Sequence, residues 1–367
     1  MMPTLIVQSE AELREFIGYP TKDVEGKKLP VFESVSREFI AHSPFVCVTT
    51  RQPNGSIDLS ARGGLPGFVH VLDDRTLLIP DHPDNRLSDS LENIQANPFI
   101  GLIFFIPVVN ETLRINGRAH VVRDKDVLAT HFPENQCEAA IAVTVVESYL
   151  HCAKAFIRSR LWDSAAHVNT QLTFTHQVET VVRRTELDEQ CQMFIRNAPF
   201  LCLGSSLVEG GADVSPRGDP NGFVMMPSEN TMLIPDRPGN RLADNFRNIL
   251  VNPLLGVMFF VPGIDWALTV HGRACIVKDP ELLEPLTVQG KRPALGIWID
   301  IEEVLLAHNQ ALQLSLLWNP QVRIARKDFP SFGQMIAKQL AFLGSLGDTN
   351  ADSLDRFLES ENKKWLY

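Results

Sequence analysis

Short alternating segments dominate the hydrophobic pattern of the first half of the chain. Phe45–Thr50 alternates, Asn54-Gly55 is a tight-turn signal, and Ser56–Ala61 continues as the partner strand of a hairpin. The same pattern predicts further strands over Phe68–Leu72, Thr76–Ile79, Phe99–Ile106, Thr112–Asn116, Arg118–Val122 and Ala139–Val146. Short strands of this number and spacing are typical of a small β-barrel.

Two helices complete the predicted unit. Over Arg86–Ala96 the apolar residues share one helical face, and Asn97-Pro98 is a stop signal. A final helix is predicted from about residue 151 to residue 161. The predicted fold class is therefore mainly β with peripheral α.

A shift of 155 residues aligns the chain with itself. It places Phe32–His120 on Leu187–Cys275 without a gap, and about 33 of the 76 pairs that begin at Pro44 are identical. After one inserted residue the match resumes, with Glu147–Trp162 on Glu303–Trp318. Because this period is far too long for a solenoid, we predict two whole barrel domains, called copy 1 and copy 2. Residues aligned by the repeat are called counterparts.

The two ends of the chain lie outside the repeat. Ser9–Pro20, the head segment, has no counterpart before copy 2, and Pro330–Tyr367, the tail segment, has none after copy 1. The predicted domains are 1–163, the first barrel with an N-terminal helical extension; 164–186, a linker; 187–319, the second barrel; and 320–367, a helical tail.

Composition and charge narrow the functional classes. The net charge is −10, and basic residues cluster no further than pairs. This balance argues against nucleic-acid and membrane partners, but it allows one local phosphate pocket. The first residues lack the features of a secretory signal, and the six cysteines lack zinc spacing. We therefore expect a cytoplasmic protein with reduced thiols and no metal site.

A set of polar residues recurs where the strand and helix pattern does not require it. Each copy has Ser-x-Arg at a strand end and Asn-Arg before a predicted helix: Ser60, Arg62, Asn85 and Arg86, then Ser215, Arg217, Asn240 and Arg241. The asparagine would cap the helix, and two converging arginines would suit a phosphomonoester. The alternative, which recurrence in both copies disfavours, is a cap with solvated surface arginines.

The order of these motifs resembles that of the pyridoxamine 5′-phosphate oxidase-like FMN-binding split barrels. More narrowly, SPRGDPNGF, LIPDRPGNRL, ETLRINGRA, HCAKAFIRSRLW and PSFGQMIAKQ resemble a bacterial branch of FMN-dependent flavoproteins. The resemblance implies two FMN-binding split β-barrels in tandem, forming an intramolecular pseudo-dimer with FMN at the interface. Carried over, the phosphate-contacting positions are Arg62, Arg86, Arg217 and Arg241. Thr112 matches a polar position near the flavin ring, where copy 2 has Ala267.

The copies differ in ways that predict unequal sites. On the predicted last helix of copy 1, a cationic stripe would consist of His151, Lys154, Arg158 and Trp162, whereas copy 2 has Ala307, Gln310, Leu314 and Trp318. A solvated basic face is the alternative interpretation of this stripe. On the preceding strand, Arg114 of copy 1 becomes Thr269.

The loop before the first helix differs in the opposite sense. Copy 2 has Arg237 and Gly239 where copy 1 has His82 and Asp84. Since a site at the interface contains residues of both barrels, one composite site would combine the cofactor-binding residues that each copy retains. We therefore expect fewer than two tight equivalents of FMN per chain, most simply one.

The sequence as a whole predicts an FMN-dependent oxidoreductase that acts on a small organic substrate, with NAD(P)H as a candidate electron donor. FMN would carry the chemistry, so no residue is assigned as catalytic, and His151 and His82 are the titratable candidates. The alternatives are a non-enzymatic protein that binds flavin, haem or F420, and a pseudo-dimer without a cofactor.

Overall fold

The computed structural model describes residues 3–81, 89–133, 137–163, 182–344, 351–364 and 366–367, with residues 23, 182, 322, 362 and 363 as backbone only. In copy 1 the described strands are β1 (Phe45–Arg51), β2 (Ile57–Gly63), β3 (His70–Val71), β4 (Thr76–Asp81), β5 (Phe99–Phe105), β6 (Thr112–Val122) and β7 (Ala139–His151). They form one antiparallel sheet in the order β2-β1-β5-β6-β7-β4-β3.

The second half of the chain repeats this sheet. Its strands are β8 (Val182–Arg184), β9 (Phe200–Ser206), β10 (Ala212–Gly218), β11 (Met225–Ser228), β12 (Thr231–Pro235), β13 (Leu254–Phe260), β14 (Trp266–Val277) and β15 (Gly296–His308). The order β10-β9-β13-β14-β15-β12-β11 matches copy 1 strand for strand. Both copies also shift register at the same place, after Asn116 and after His271. The prediction of a mainly β chain with two like barrels is confirmed.

Helices lie at the periphery of both sheets. They are α1 (Glu10–Ile17), α2 (Lys22–Gly26), α3 (Ser34–His42), α4 (Ser90–Ala96), α5 (Lys125–His131), α6 (Lys154–Ser159), α7 (Glu189–Asn197), α8 (Asp244–Val251), α9 (Pro280–Leu283), α10 (Gln310–Leu314), α11 (Phe332–Phe342) and α12 (Ala351–Lys364). Short 3-10 turns occupy Glu284–Leu286, Pro320–Val322 and Arg326–Asp328. None of the helices in the described part of the chain has the length and apolar character that a bilayer crossing needs.

Two predicted elements differ from the structure. Residues 112–122 form one strand instead of two, because a bulge after Asn116 absorbs the irregularity. The predicted helix over 151–161 is shorter, because His151 pairs with Thr112 as the end of β7 and the left-handed Arg160 (φ 51°) ends α6. The predicted cationic stripe is therefore wrong as a single helical face. It reduces to Lys154 and Arg158, with Trp162 beyond the helix.

The two copies pack against each other through reciprocal contacts. A Cβ added at Gly63 would lie 2.0 Å from the carbonyl oxygen of Ala311, and one at Gly218 would lie 2.2 Å from that of Ala155. Gly218 and Ala311 are the counterparts of Gly63 and Ala155, so the same contact occurs twice with the roles of the copies exchanged. This reciprocity is what a two-fold pseudo-dimer requires. The shared core between the copies includes Phe45, Phe105, Phe156, Phe200 and Phe260.

The ends of the chain cross to the opposite copy. Leu13 of the head segment is fully buried in the core of copy 2, together with the preceding Val7. Met335 of the tail segment is fully buried in the core of copy 1, and Gln339 Nε2 donates to Glu33 Oε1 at 3.1 Å. Each barrel is therefore completed by an end of the chain that is distant from it in sequence.

The repeat begins earlier than its sequence match indicates. β8 lies within the predicted linker, where Arg184 pairs with Val304 of β15. In copy 1 the bridge between Leu29 and Ser148 occupies the corresponding place. Residues 182–184 are thus an edge of the second sheet, which makes Arg183 the structural counterpart of Lys28.

Candidate cofactor site

A cavity of about 900 Å³, the large cavity, lies between the two copies. Copy 2 lines it with the end of β10, the loop after β12 and the start of α8. Copy 1 lines it with Arg114 of β6, the end of β7 and α6. Phe16 and Ile17 of the head segment and Tyr367 of the tail segment complete the wall. This volume lies in the range that proteins use for small molecules and cofactors.

Four side chains with unused donors line the large cavity, and we call them the anion seat: Lys154, Arg217, Asn240 and Arg241. Arg217 donates only to the carbonyl of Pro216 at 3.2 Å among the described residues, and its buried Nε has no partner. Asn240 Nδ2 is also buried without a partner. Neither Lys154 nor Arg241 makes a side-chain hydrogen bond or ion pair to the described residues. The buried donor atoms of Arg217 and Asn240 are costly unless a ligand accepts from them, whereas Lys154 is half-buried and Arg241 is exposed.

The charges of the anion seat act on one another. Burial lowers the pKa of Lys154, and the neighbouring charges of Arg158 and Arg241 act in the same direction. Burial likewise lowers the pKa of Arg217, while Asp236 opposes this shift. Burial raises the pKa of Asp236 itself. A bound anion would favour the charged form of each cation and would therefore oppose these shifts.

The loop that carries the seat differs from the predicted helix cap. Asn240 Oδ1 accepts from the Leu242 N–H at 3.1 Å, which closes a turn before α8 begins. The N-cap is Ala243, and both Ala243 and Arg241 have left-handed backbone with φ 61°. The prediction that Asn240 caps the helix is therefore wrong, because its side chain is used by the turn that precedes the helix.

Arg114 joins the two copies beneath the cavity. It is almost fully buried, NH1 donates to Ser215 Oγ at 3.1 Å, and NH2 forms an ion pair with Asp213. A second ion pair, of 3.3 Å, joins NH1 to Asp244 Oδ2 at the start of α8. Burial disfavours the charge of Arg114, but Tyr149 and the two carboxylates outweigh it and raise the pKa. Arg114 therefore stays charged and fixes β10 and α8 relative to copy 1.

Cys152 lines the large cavity between His151 and Lys154. Burial opposes ionisation of its thiol, but His151 and Lys27 outweigh burial and lower the pKa to about 6. Burial lowers the pKa of Lys27 to about 8, and its Nζ donates to the carbonyl of Leu150 at 2.9 Å. Cys152 of this wall and Lys27, which is not part of it, thus influence each other and both change charge near neutral pH, an arrangement common at functional sites.

Two arginines predicted to bind the cofactor are held by the protein. Arg237 Nε donates to Asp219 Oδ2 at 2.7 Å, and its NH2 donates to the carbonyl of Leu286 at 2.9 Å. Arg158 Nε donates to the carbonyl of Gly218 at 3.0 Å. Both side chains line the cavity, and these contacts use them to stabilise its wall.

The tail segment lies along the same wall. Arg158 NH1 donates to the carbonyl of Leu366 at 2.8 Å, and Lys291 Nζ donates to the backbone oxygen of Tyr367 at 2.7 Å. The ring of Tyr367 lies against the guanidinium of Arg237, with 5.5 Å between the guanidinium carbon and the ring centroid. Three cations therefore hold the end of the described chain at the large cavity.

The symmetry-related position holds a cavity of only about 90 Å³, the small cavity. Ser60 lines it, together with Thr269 and Gln310, the counterparts of Arg114 and Lys154. Arg62, the counterpart of Arg217, forms a 2.9 Å ion pair with Asp81 instead of standing free.

Charged side chains fill the rest of the small cavity. Arg183 NH1 lies 2.7 Å from Glu303 Oε1, and His271 Nδ1 lies 3.0 Å from Glu303 Oε2. The hydrogen bonds from His271 and Arg183 lower the pKa of Glu303 to about 2. Burial raises the pKa of Asp58 on the opposite wall. Among the described residues of this cavity, Arg183 and His271 Nδ1 are thus paired with Glu303, while His271 Nε2 is buried without a partner.

The structure brings together seven of the predicted cofactor residues. The large cavity is lined by Lys154, Arg158, Ser215, Arg217, Arg237, Asn240 and Arg241. Ser60 lines the small cavity, and Arg62 is paired beside it. Thr112 is fully buried away from both cavities, and Trp162 Nε1 donates to the carbonyl of Val109 in the shared core. Trp162 therefore has a packing role in place of the predicted cofactor contact.

Some residues fall outside this comparison, and others were missed. Asn85, Arg86 and His82 lie outside the described residues, so those predictions stand as predictions. Cys152 was missed, although its replacement by His308 in copy 2 was a signal of unequal chemistry. The contribution of the head segment was missed because no local pattern shows that it crosses to copy 2.

Several solved structures resemble parts of the chain. A variant of HupZ from Group A Streptococcus is 14% identical with a TM-score of 0.28, covering 32% of this chain and 98% of that one. A candidate pyridoxamine 5′-phosphate oxidase from Lactobacillus delbrueckii is 16% identical with a TM-score of 0.28, covering 34% and 98%. The FAD binding protein from Mycobacterium smegmatis is 13% identical with a TM-score of 0.24, covering 33% and 96%. Similarity at this level does not indicate a ligand.

The family assignment comes from sequence. No curated protein matches the chain. The pyridoxamine 5′-phosphate oxidase family model matches it twice, over residues 32–152 and 187–308, which together make up more than half of its length. These two segments coincide with the two sheets of identical strand order. The chain therefore belongs to the pyridoxamine 5′-phosphate oxidase family and contains two copies of the family's domain.

Proposed function

We propose that the protein binds one FMN in the large cavity and is an FMN-dependent oxidoreductase acting on a small organic substrate. The observation that carries this proposal is the anion seat, where side chains from both copies converge and keep donors that no described residue satisfies. A phosphomonoester offers several acceptor oxygens and up to two negative charges. Lys154, Arg217, Asn240 and Arg241 would hold that phosphate.

The remaining wall has features suited to redox chemistry. FMN, when bound, supplies hydride or electron transfer, and the protein supplies position and electrostatics. Arg114 and Ser215 present a rigid polar edge, because their mutual hydrogen bond and the ion pairs of Arg114 fix both strands. Cys152, with its pKa of about 6, is a group able to exchange a proton with a substrate near neutral pH.

The small cavity supports a stoichiometry of one. Its volume of about 90 Å³ is well below the few hundred Å³ that cofactor sites occupy. Its arginine is also paired with Asp81, so a phosphate would have to displace an existing ion pair. We therefore propose that this site no longer takes a cofactor.

The absorbance spectrum of the purified protein, with a measured flavin-to-chain ratio, tests the proposal. A flavin spectrum with one FMN per chain is the expected result. Anaerobic reduction of that flavin by NADH or NADPH then tests the oxidoreductase assignment. A protein that neither purifies with FMN nor binds it on titration would contradict the proposal, and a Soret band would favour a haem protein instead.

One observation favours a non-enzymatic flavin-binding protein as the second candidate. Leu366 and Tyr367 are tethered at the large cavity by Arg158 and Lys291, which would restrict the approach of a substrate. A store of this kind would bind FMN but would resist reduction by nicotinamides. The same reduction experiment distinguishes the two candidates.

A further inference from the structure

We infer that Arg14, in the head segment, is a positioning residue for the anion seat. Its guanidinium holds the loop that carries Asn240 and Arg241 in the conformation that receives a phosphate. The inference rests on the proposed function, because the ligand group that it names is the phosphate of FMN.

The guanidinium of Arg14 contacts the loop backbone, and it also forms an ion pair of 3.2 Å with Glu10 on its own helix. Arg14 is 8% exposed, and its NH1 donates to the carbonyl of Arg241 at 2.7 Å and to that of Gly18 at 3.3 Å. Its NH2 donates to the carbonyl of Leu242 at 3.4 Å. One side chain from the N-terminal helix therefore engages two consecutive carbonyls of the loop, although 227 residues separate Arg14 from Arg241.

The loop needs such support because its backbone is strained. Arg241 and Ala243, on either side of Leu242, both have φ 61°, a region that residues with a Cβ rarely adopt. Conformations of this kind persist only where the surroundings hold them, and they cluster at ligand sites. The two carbonyls bound by Arg14 belong to the peptides that join these strained residues.

The orientation of those peptides leaves a donor for a ligand. In a trans peptide the N–H points opposite to the C=O, so both N–H groups are turned away from Arg14. The Leu242 N–H donates to Asn240 Oδ1. The Ala243 N–H has no acceptor among the described residues, and Ala243 lines the large cavity beside the seat. Arg14 thereby helps to present a backbone donor as well as the side chains of Asn240 and Arg241.

The helix that carries Arg14 is itself firmly docked. Leu13 is fully buried in the core of copy 2, and Glu12 forms an ion pair with Lys278. Glu10 also pairs with Arg247 of α8 at 3.1 Å, but both of these side chains are half exposed. Arg247 shares Glu10 Oε1 with Arg14, but its side chain does not contact the carbonyls of Arg241 and Leu242. Arg247→Ala is therefore the control for losing an arginine paired with Glu10.

Titration of FMN and riboflavin into Arg14→Ala, Arg247→Ala and the unaltered chain tests the inference, because riboflavin lacks only the phosphate. In Arg14→Ala the affinity for FMN should fall by about ten- to a hundredfold, while riboflavin binding changes by less than about threefold. Arg247→Ala should leave both affinities unchanged. Hydrogen exchange of residues 238–246 should accelerate in Arg14→Ala alone, and a thermal melt of each variant verifies folding.

The outcomes distinguish a failure of the inference about Arg14 from a failure of the proposed FMN binding. If the unaltered chain does not bind FMN, the proposed function fails, whatever Arg14 does to the loop. If it binds FMN but Arg14→Ala keeps the same preference over riboflavin, or exchange of residues 238–246 is unchanged, the inference is overturned. If Arg14→Ala fails to fold, Arg14→Gln takes its place, because glutamine keeps a donor for one carbonyl. This variant should lose part of the preference for FMN over riboflavin. An unchanged preference in Arg14→Gln overturns the inference.

Discussion

Arg62 and Asp81 form an ion pair with 2.9 Å between Nε and Oδ1, whereas their counterparts, Arg217 and Asp236, form none in the described part of the chain. The same two residue types thus occupy corresponding positions in the two copies, but they are paired only in copy 1. In copy 1 the protein neutralises the arginine, and in copy 2 the arginine lines the large cavity. This difference, more than any residue identity, distinguishes the small cavity from the large one.

Substituting each arginine separates binding from stability. Arg217→Ala should weaken FMN binding by about 1.5–3 kcal/mol with little change in Tm, because it removes a charge-assisted contact at an element end. Arg62→Ala should leave FMN affinity unchanged but lower the free energy of unfolding by about 3 kcal/mol, since it leaves Asp81 unpaired in a buried site. Flavin titration and thermal unfolding of both variants decide this, and an equal loss of affinity in both would contradict the asymmetry.

The stoichiometry of FMN is a second test of the asymmetry. We expect one tight equivalent per chain, because Arg114 and Lys154 serve the large cavity while Thr269 and Gln310 serve the small one. Losing these two polar contacts at about 1 kcal/mol each would weaken a site by roughly thirtyfold. Isothermal titration of the cofactor-free protein measures this ratio. Two indistinguishable sites per chain would show the substitutions to be neutral.

The sequence predicted the barrels and the composition of the seat, and the reasons are physical. The gapless match from Phe32 allowed no change of register between the copies, so their strands had to coincide. Arg217 and Arg241 were found because polar residues recurred where packing does not need them. The sequence could not show that Arg62 is paired with Asp81, because copy 2 has the same two residue types, Arg and Asp, at the corresponding positions. It also could not place Arg14, because contacts between distant segments leave no local pattern.

Helix boundaries near the site were the least predictable feature. Asn240-Arg241 has the composition of a helix start. The turn closed by Asn240 and the contacts of Arg14 nevertheless keep the chain non-helical up to Asp244, where α8 begins. His151 has a helical spacing to Lys154, yet strand pairing with Thr112 outweighs it. In both cases tertiary contacts determined the local structure.

Lys154→Gln tests the contribution of copy 1 to the seat, because it installs the residue that copy 2 has at the corresponding position. Lys154 has no ion-pair partner in the described part of the chain. Its removal should therefore lower the affinity for FMN about tenfold and change the stability of the fold little. Gln310→Lys is the reciprocal control at the small cavity and should not change FMN affinity. Titration of both variants against the same FMN stock compares them directly. A change of FMN affinity in Gln310→Lys but not in Lys154→Gln would place the cofactor at the other site.

The thiol of Cys152 should react at unusually low pH. Its pKa of about 6 means that the thiolate forms as pH rises through 6, whereas an ordinary thiol ionises near 8.5. In the cofactor-free protein, alkylation by iodoacetamide, followed by peptide mass spectrometry, should therefore show a midpoint near pH 6 at this residue. Burial raises the pKa of Cys137, Cys191 and Cys275, so these serve as internal references. A midpoint above pH 8 for Cys152 would contradict this prediction.

The reciprocal packing of the two copies has a consequence for how this protein can change. In a homodimer with the same interface, any substitution enters both symmetry-related sites at once, so neither can be lost without the other. Here Arg114 and Thr269 occupy corresponding positions on one chain, and a mutation reaches only one of the two pockets. Two copies on one chain can therefore diverge independently of each other. The small cavity contains paired charges, whereas the large cavity keeps donors without partners among the described residues.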